Sequence, residues 1–215
     1  MKKEFKKDQW FYFPYLLVLL ICSIFVFLFS KTDLHIWINQ HQPQFLDAFF
    51  RNITILGDGI ILPVFIIITL FISFRYSLLI VSSFLISGFI VQILKHTIFS
   101  NINRPVKYME HIYNLRLING VHQYYFNSFP SGHSASAFVF FLCFAMIFKQ
   151  NYFKIAMLFC ALLVAFSRVY LSQHFLIDIV GGSLIGVLIT FAANIWLTNI
   201  KKSWLNENIL TISRK

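Results

Sequence analysis

Six apolar runs recur along the chain, at 11–29, 59–74, 77–94, 134–148, 155–171 and 175–198. Charged residues gather between these runs rather than recurring every third or fourth position inside them, which predicts helices that are apolar all round. The first run, 11–29, is long enough to cross a hydrocarbon core of about 30 Å. The fourth and fifth are shorter between charges: 134–148 lies between His133 and Lys149, and 155–167 between Lys154 and Arg168. Snorkelling Lys and Arg side chains would cover that deficit; buried or re-entrant helices are the alternative for these two. The pattern predicts an all-α polytopic membrane protein, six transmembrane helices in a single domain over residues 1–215.

Composition agrees. Hydrophobic residues make up 58% and charged residues 12%, against about 45–50% and about 25% in an ordinary soluble domain. A disordered chain, a disulfide scaffold and a typical cytosolic enzyme are excluded on that ground. Cys22, Cys143 and Cys160 all fall inside apolar runs, where they serve as small hydrophobes and offer neither disulfide nor metal spacing. Lys2, Lys3, Lys6 and Lys7 before the first run imitate a signal peptide. The segment after it, Ser-Lys-Thr-Asp-Leu-His, has no small-residue cleavage site, so an uncleaved first helix is expected.

The net charge of +10 would suggest nucleic acid if it formed one patch, but its distribution follows topology. With a cytoplasmic N-terminus and six crossings, the inner side holds Lys2, Lys3, Lys6, Lys7, Arg75, Lys149, Lys154, Lys201, Lys202, Arg214 and Lys215 in short loops and tails. The outer side holds Lys31, Arg51, Lys95, Arg104, Lys107, Arg116 and Arg168 over much longer loops, together with every histidine. That bias obeys the positive-inside rule. Trp10, Trp196 and Trp204 stand at span ends as interfacial aromatics do, and loop 30–58 reads as lying along the membrane surface. No internal repeat supports a repeat-built transporter.

Three polar stretches interrupt the pattern: Lys95…Arg104-Pro105, Pro130-Ser131-Gly132-His133, and Ser167-Arg168-x5-His174-x3-Asp178. Six crossings bring all three to one side; a miscount by one would divide them. His174 and Asp178, four apart at a helix start, share a face. A carboxylate there takes the hydrogen of one ring nitrogen and leaves the other as a nucleophile. Ser131-Gly132 before an apolar run reads as a helix N-terminus, an anion site that glycine lets a ligand approach. Lys95, Arg104 and Arg168 add three cations with few acidic partners, which calls for an anion and fits phosphate. A dication held by His133 and His174 would be repelled by those cations, so metal-independent phosphoryl transfer is the better account.

These stretches resemble the signature of the type 2 phosphatidic acid phosphatase superfamily, which also includes vanadium haloperoxidases and glucose-6-phosphatase-like enzymes. The signature reads K-x6-R-P, P-S-G-H and S-R-x5-H-x3-D; its second and third parts match here residue for residue, over roughly 95–182. The first departs, with residues 96–103 between Lys95 and Arg104 and Lys107 as a possible substitute. The resemblance implies a phosphohistidine on His174, oriented by Asp178, with His133 as general acid and then base. It also implies a phosphate cradle of Lys95, Arg104, Arg168, Ser131 and Gly132, and neither cofactor nor metal.

The expected function is a lipid phosphatase of a bacterial inner membrane. Both termini would be cytoplasmic and the site periplasmic, with the bilayer and a phosphorylated lipid as partners and no nucleic acid. Phosphatidate, phosphatidylglycerol phosphate, undecaprenyl diphosphate and lipid A phosphates present the same group. A lipid phosphotransferase using the same intermediate, or a catalytically silent transporter of anionic lipids, are the competing readings. The complete set of His133, His174 and Asp178 argues against the transporter. Elsewhere Gly181, Gly182 and Gly186 suggest close helix packing. Asn52-Ile53-Thr54 is a glycosylation pattern by letters only. His35, His41, His96, His111 and His122 read as loop or interface residues, and nothing in the sequence gives Asp47 or Asp58 a chemical role.

Overall fold

The computed structural model describes residues 2–212, and no strand occurs among them. Arg214 and Lys215, counted above with the inner charges, lie outside the described residues. In chain order the helices are α1 (Lys2–Lys7), α2 (Gln9–Leu28), α3 (Lys31–Gln40), α4 (Asp47–Ile53), α5 (Leu62–Leu70), α6 (Phe74–His96), α7 (Pro105–Tyr108), α8 (Gly132–Ile147), α9 (Asn151–Tyr170), α10 (Leu176–Asn199) and α11 (Ile209–Ile212).

Four helices, α2, α6, α9 and α10, are long and apolar enough to cross a membrane. Two of the six expected crossings take a different form. The run 59–74 yields only the nine-residue α5, about 14 Å long at 1.5 Å per residue. Gly57-Asp58-Gly59 explains the break: the Asp58 side chain accepts the Ile60 N–H at 3.2 Å and caps a new turn at Gly59–Ile61. The stretches Gln44–Gly57 and Gly59–Leu70 meet at 63° and make a fifth crossing only if taken as one broken span. The other exception, α8, has 16 residues. By contrast α9 runs three residues before Lys154, where the apolar pattern had placed its edge. Lys154 is buried there, paired with Asp8 and donating to the Lys7 carbonyl at 2.8 Å. A charge inside a helix costs least when its partner is buried with it.

Helix α8 forms the centre. Ala137 to Cys143 are buried without interruption, and Phe140 stacks on Phe65 and Phe84 at centroid distances of 4.6 and 5.5 Å. On its α10 side the packing is backbone against backbone. A Cβ at Gly182 would lie 2.3 Å from the Ser131 carbonyl oxygen, and one at Gly186 would lie 2.5 Å from that of Ala135. Only glycine permits that approach. Outside this core, α2 turns Phe13, Leu17, Leu20, Phe27 and Leu28 outward. So large an apolar face needs an apolar surrounding.

The first long loop folds into α3 and α4. Ser30 caps α3 by accepting the Asp33 N–H at 3.0 Å. The second long loop is tied down on it: Asn39 accepts the Arg116 N–H at 2.9 Å, and the Arg116 guanidinium pairs with Asp47. Tyr170, at the end of α9, donates to the same Asp47 at 2.7 Å.

Candidate active site

The motif of α9 and α10 is shaped by the turn between them. Ser172, at φ 53°, takes a left-handed conformation, and the chain then doubles back. The N–H groups of Gln173 and His174 both donate to the Arg168 carbonyl, at 2.9 and 3.1 Å. The five residues between Arg168 and His174 therefore close a loop that sets the two side by side. One helical turn later Asp178 Oδ2 faces His174 Nδ1 at 3.2 Å. The same oxygen accepts the Phe175 N–H at 2.9 Å and the Ser128 hydroxyl at 2.5 Å. A carboxylate with three converging donors fixes the hydrogen of His174 on Nδ1 and leaves the Nε2 lone pair free.

Ser131 caps α8, accepting the Ser134 N–H at 3.3 Å, while its own N–H donates to the Asp178 carbonyl at 2.9 Å. The positive end of α8 and the His174–Asp178 pair are thus joined through the backbone. Gly132 and His133 open the helix immediately after this joint.

The three cations close in from separate elements. Lys95, in the last turn of α6, is buried within electrostatic range of Arg104, Asp178 and Arg168. Arg104 is held by the loops: Nε donates to the Phe126 carbonyl at 2.9 Å, Nη1 to the Gln173 carbonyl at 3.2 Å, and the guanidinium lies 5.1 Å from the Tyr124 ring centroid. Arg168 donates from Nη1 to Thr54 Oγ1 at 2.8 Å and from Nη2 to Gln173 Oε1 at 3.5 Å, while its buried Nε has no partner among the described residues. A buried guanidinium N–H is costly to leave unpaired, and an anion is the acceptor it suits. Burial, together with Arg104, Lys95 and Arg168, holds His174 well below its ordinary value of 6.5. The imidazole is therefore neutral at physiological pH, as a nucleophile must be.

The sequence-expected residues Lys95, Arg104, Ser131, Gly132, His133, Arg168, His174 and Asp178 all come to this one end of the helices. Lys107 does not: it is exposed and bonded to Glu110 at 2.5 Å. Four further residues reach the site unannounced by any motif: Thr54 and Asp58 from the first loop, Ser128, and Gln173. Gln173 also donates to the His122 carbonyl and to Gln123 Oε1, at 3.0 and 2.7 Å, so it links both arginines to the long loop. Of the remaining histidines, His35 is buried against Phe175 and shares a 3.2 Å hydrogen bond with Ser172. Burial lowers it to about 4.

Comparison with known proteins follows the same lines. The family model described as the PAP2 superfamily matches residues 76–202, from α6 to the end of α10. The lipid A 1-phosphatases of Rhizobium etli and Rhizobium johnstonii align at 36% identity over 61 residues, 28% of this chain. That alignment spans only 25% and 24% of those relatives' length. Two crystal structures superpose on most of the chain. Aquifex aeolicus LpxE gives a TM-score of 0.66 at 25% identity, covering 75% of this chain and 92% of its own. The transmembrane PAP2 type phosphatidylglycerolphosphate phosphatase from Bacillus subtilis gives 0.64 at 25% identity, covering 87% and 96%.

Proposed function

The chain belongs to the PAP2 superfamily, and from that membership we propose that it is an integral-membrane lipid phosphatase working without metal through a phosphohistidine. The observation that carries the reading is the neutral, buried His174 paired to Asp178 at 3.2 Å beside three cations. The phosphate of a lipid monoester or diphosphate docks on the N-terminus of α8 at Ser131 and Gly132, between Lys95, Arg104 and Arg168. The Nε2 lone pair of His174 attacks phosphorus. As the phosphorus–oxygen bond to the lipid breaks, the departing oxygen takes a proton from His133. Neutral His133 then removes a proton from water, which attacks the phosphohistidine and releases inorganic phosphate. The cations face the charge that spreads over the equatorial oxygens in both steps.

The relatives' names point to lipid A and phosphatidylglycerol phosphate as substrates to try first. Purified protein in detergent micelles is expected to release phosphate from at least one of lipid A, phosphatidylglycerol phosphate, phosphatidate and undecaprenyl diphosphate. EDTA should not reduce the rate, and vanadate, which mimics five-coordinate phosphorus, should inhibit. Loss on chelation, restored by zinc or magnesium, would overturn the cation-clamp account.

In the same reading the protein sits in a bacterial cytoplasmic membrane with six crossings, α8 and the bent pair completing the set, and the site facing the periplasm. The excess of Lys and Arg on the opposite loops supports this orientation. Asn119 and Gln150 are exposed at opposite ends of the helices. A cysteine at Asn119 is expected to react with a membrane-impermeant thiol reagent added from outside, and one at Gln150 only after the membrane is broken. A reversed pattern would place the site in the cytoplasm. Labelling of both from outside would break the six-span arrangement.

A further inference from the structure

The break just before the second apolar run also brings a carboxylate to the candidate site. Asp58 Oδ2 lies 3.7 Å from His133 Nε2, in ion-pair range but beyond a hydrogen bond. Its Oδ1 accepts the Ile60 N–H at 3.2 Å, which fixes the carboxylate plane and leaves Oδ2 toward the ring. The approach is built into the backbone: a Cβ at Gly57 would stand 2.8 Å from the His133 carbonyl oxygen and 2.7 Å from Val164 Cγ1. The same turn carries Thr54, which holds Arg168 at 2.8 Å. The turn thus touches a phosphate cation and the acid–base histidine at once.

The charges around His133 make that carboxylate consequential. Arg168 from α9, Arg104 from the long loop and Lys95 from α6 all act on it, and His174 stands across the site. Burial and all three cations disfavour an imidazolium, and Asp58 acts against them. A general acid that must be protonated beside three cations needs a fixed anion of its own.

We propose that Asp58 is a positioning residue for His133, its carboxylate facing the Nε2 edge of the ring so that Nδ1 exchanges the proton with the leaving oxygen. This rests on the phosphohistidine mechanism above, in which His133 protonates the leaving group. The step is a proton transfer only: the hydrogen leaves Nδ1 as the phosphorus–oxygen bond breaks, and Asp58 takes no part in the transfer.

The test compares Asp58→Asn and Asp58→Glu with the unmodified protein on two substrates in detergent micelles. One is a short-chain phosphatidate, whose alkoxide leaving group needs a proton; the other is 4-nitrophenyl phosphate, whose leaving group does not. Because kcat/KM reports only the steps through leaving-group departure, it isolates the acid role of His133. With Asp58→Asn at pH 8, kcat/KM for phosphatidate is expected to fall about 10- to 100-fold, and for 4-nitrophenyl phosphate less than about 3-fold. The basic limb of the phosphatidate profile should move to lower pH, because removing the carboxylate lets the imidazolium lose its proton sooner. Asp58→Glu should restore part of both effects. An equal loss on the two substrates with an unmoved limb would reduce Asp58 to a structural cap and overturn the proposal, as would no loss on either. If the unmodified protein releases no phosphate from either substrate and forms no phosphoenzyme, the phosphatase reading fails, and the proposal with it.

Discussion

Replacing His174 with alanine is expected to lower phosphate release by at least about 10⁴-fold, with the protein still inserted in the membrane. No neighbour can take over the attack. Among the described residues His133 is the histidine that acts on His174, and the proposed mechanism commits it to the leaving group. The decisive measurement is acid-labile labelling of the protein by a phosphorylated substrate in rapid-quench conditions. The label should vanish in His174→Ala. It should persist in His133→Ala when the leaving group is 4-nitrophenolate, because protonation is then dispensable. Substantial turnover by His174→Ala would sink the covalent mechanism.

The second large effect belongs to Asp178→Asn, expected to lower kcat by about 10³- to 10⁴-fold, the scale of a lost histidine tautomer. The carboxylate oxygen gathers three donors, from His174, Phe175 and Ser128. An asparagine oxygen can still accept from two of them, so the first turn of α10 should survive with little change in thermal stability. What disappears is the charge that fixes the hydrogen on Nδ1 and stabilises the phosphorylated ring. Ser128→Ala, which removes one donor and leaves that charge, should cost only about 10-fold. Comparable losses in the two variants would mean that Asp178 matters for packing rather than for the ring.

The sequence made the local part of this site legible and hid the rest. His174 and Asp178 sit one helical turn apart, and Ser131 immediately precedes an apolar run, so fixed helix geometry gives their relation without any tertiary knowledge. The spacing from Lys95 to Arg104 was ambiguous because a loop can absorb residues. The structure buries Lys95 with the other cations and leaves Lys107 at the surface with Glu110. Thr54, Asp58, Ser128 and Gln173 carry no pattern of their own. Thr54 meets Arg168 across 114 positions, and Ser128 meets Asp178 across 50. Hydrophobic periodicity failed for a related reason at two places. A uniformly apolar run does not show where a helix stops, so the end of α5 at Leu70, inside 59–74, has no mark in the sequence. A lone lysine reads as an edge unless its partner is known, and that of Lys154 lies 146 residues away at Asp8.

The glycine contacts between α8 and α10 bear on how this fold can diversify. With Gly182 against the Ser131 carbonyl, and the Ser131 N–H on the Asp178 carbonyl at 2.9 Å, the proposed anion cradle and the proposed nucleophile are parts of one stiff body. A packed backbone contact has no slack to widen for a bulkier headgroup or to tighten on a smaller one. In the proposed mechanism every substrate would therefore present its phosphate at the same place and the same distance from His174. If the proposed lipid phosphatase activity holds, preference among lipids is left to the surrounding loops, which can vary without moving this joint. Chains sharing this joint can change their substrate by altering residues that never touch a phosphate oxygen.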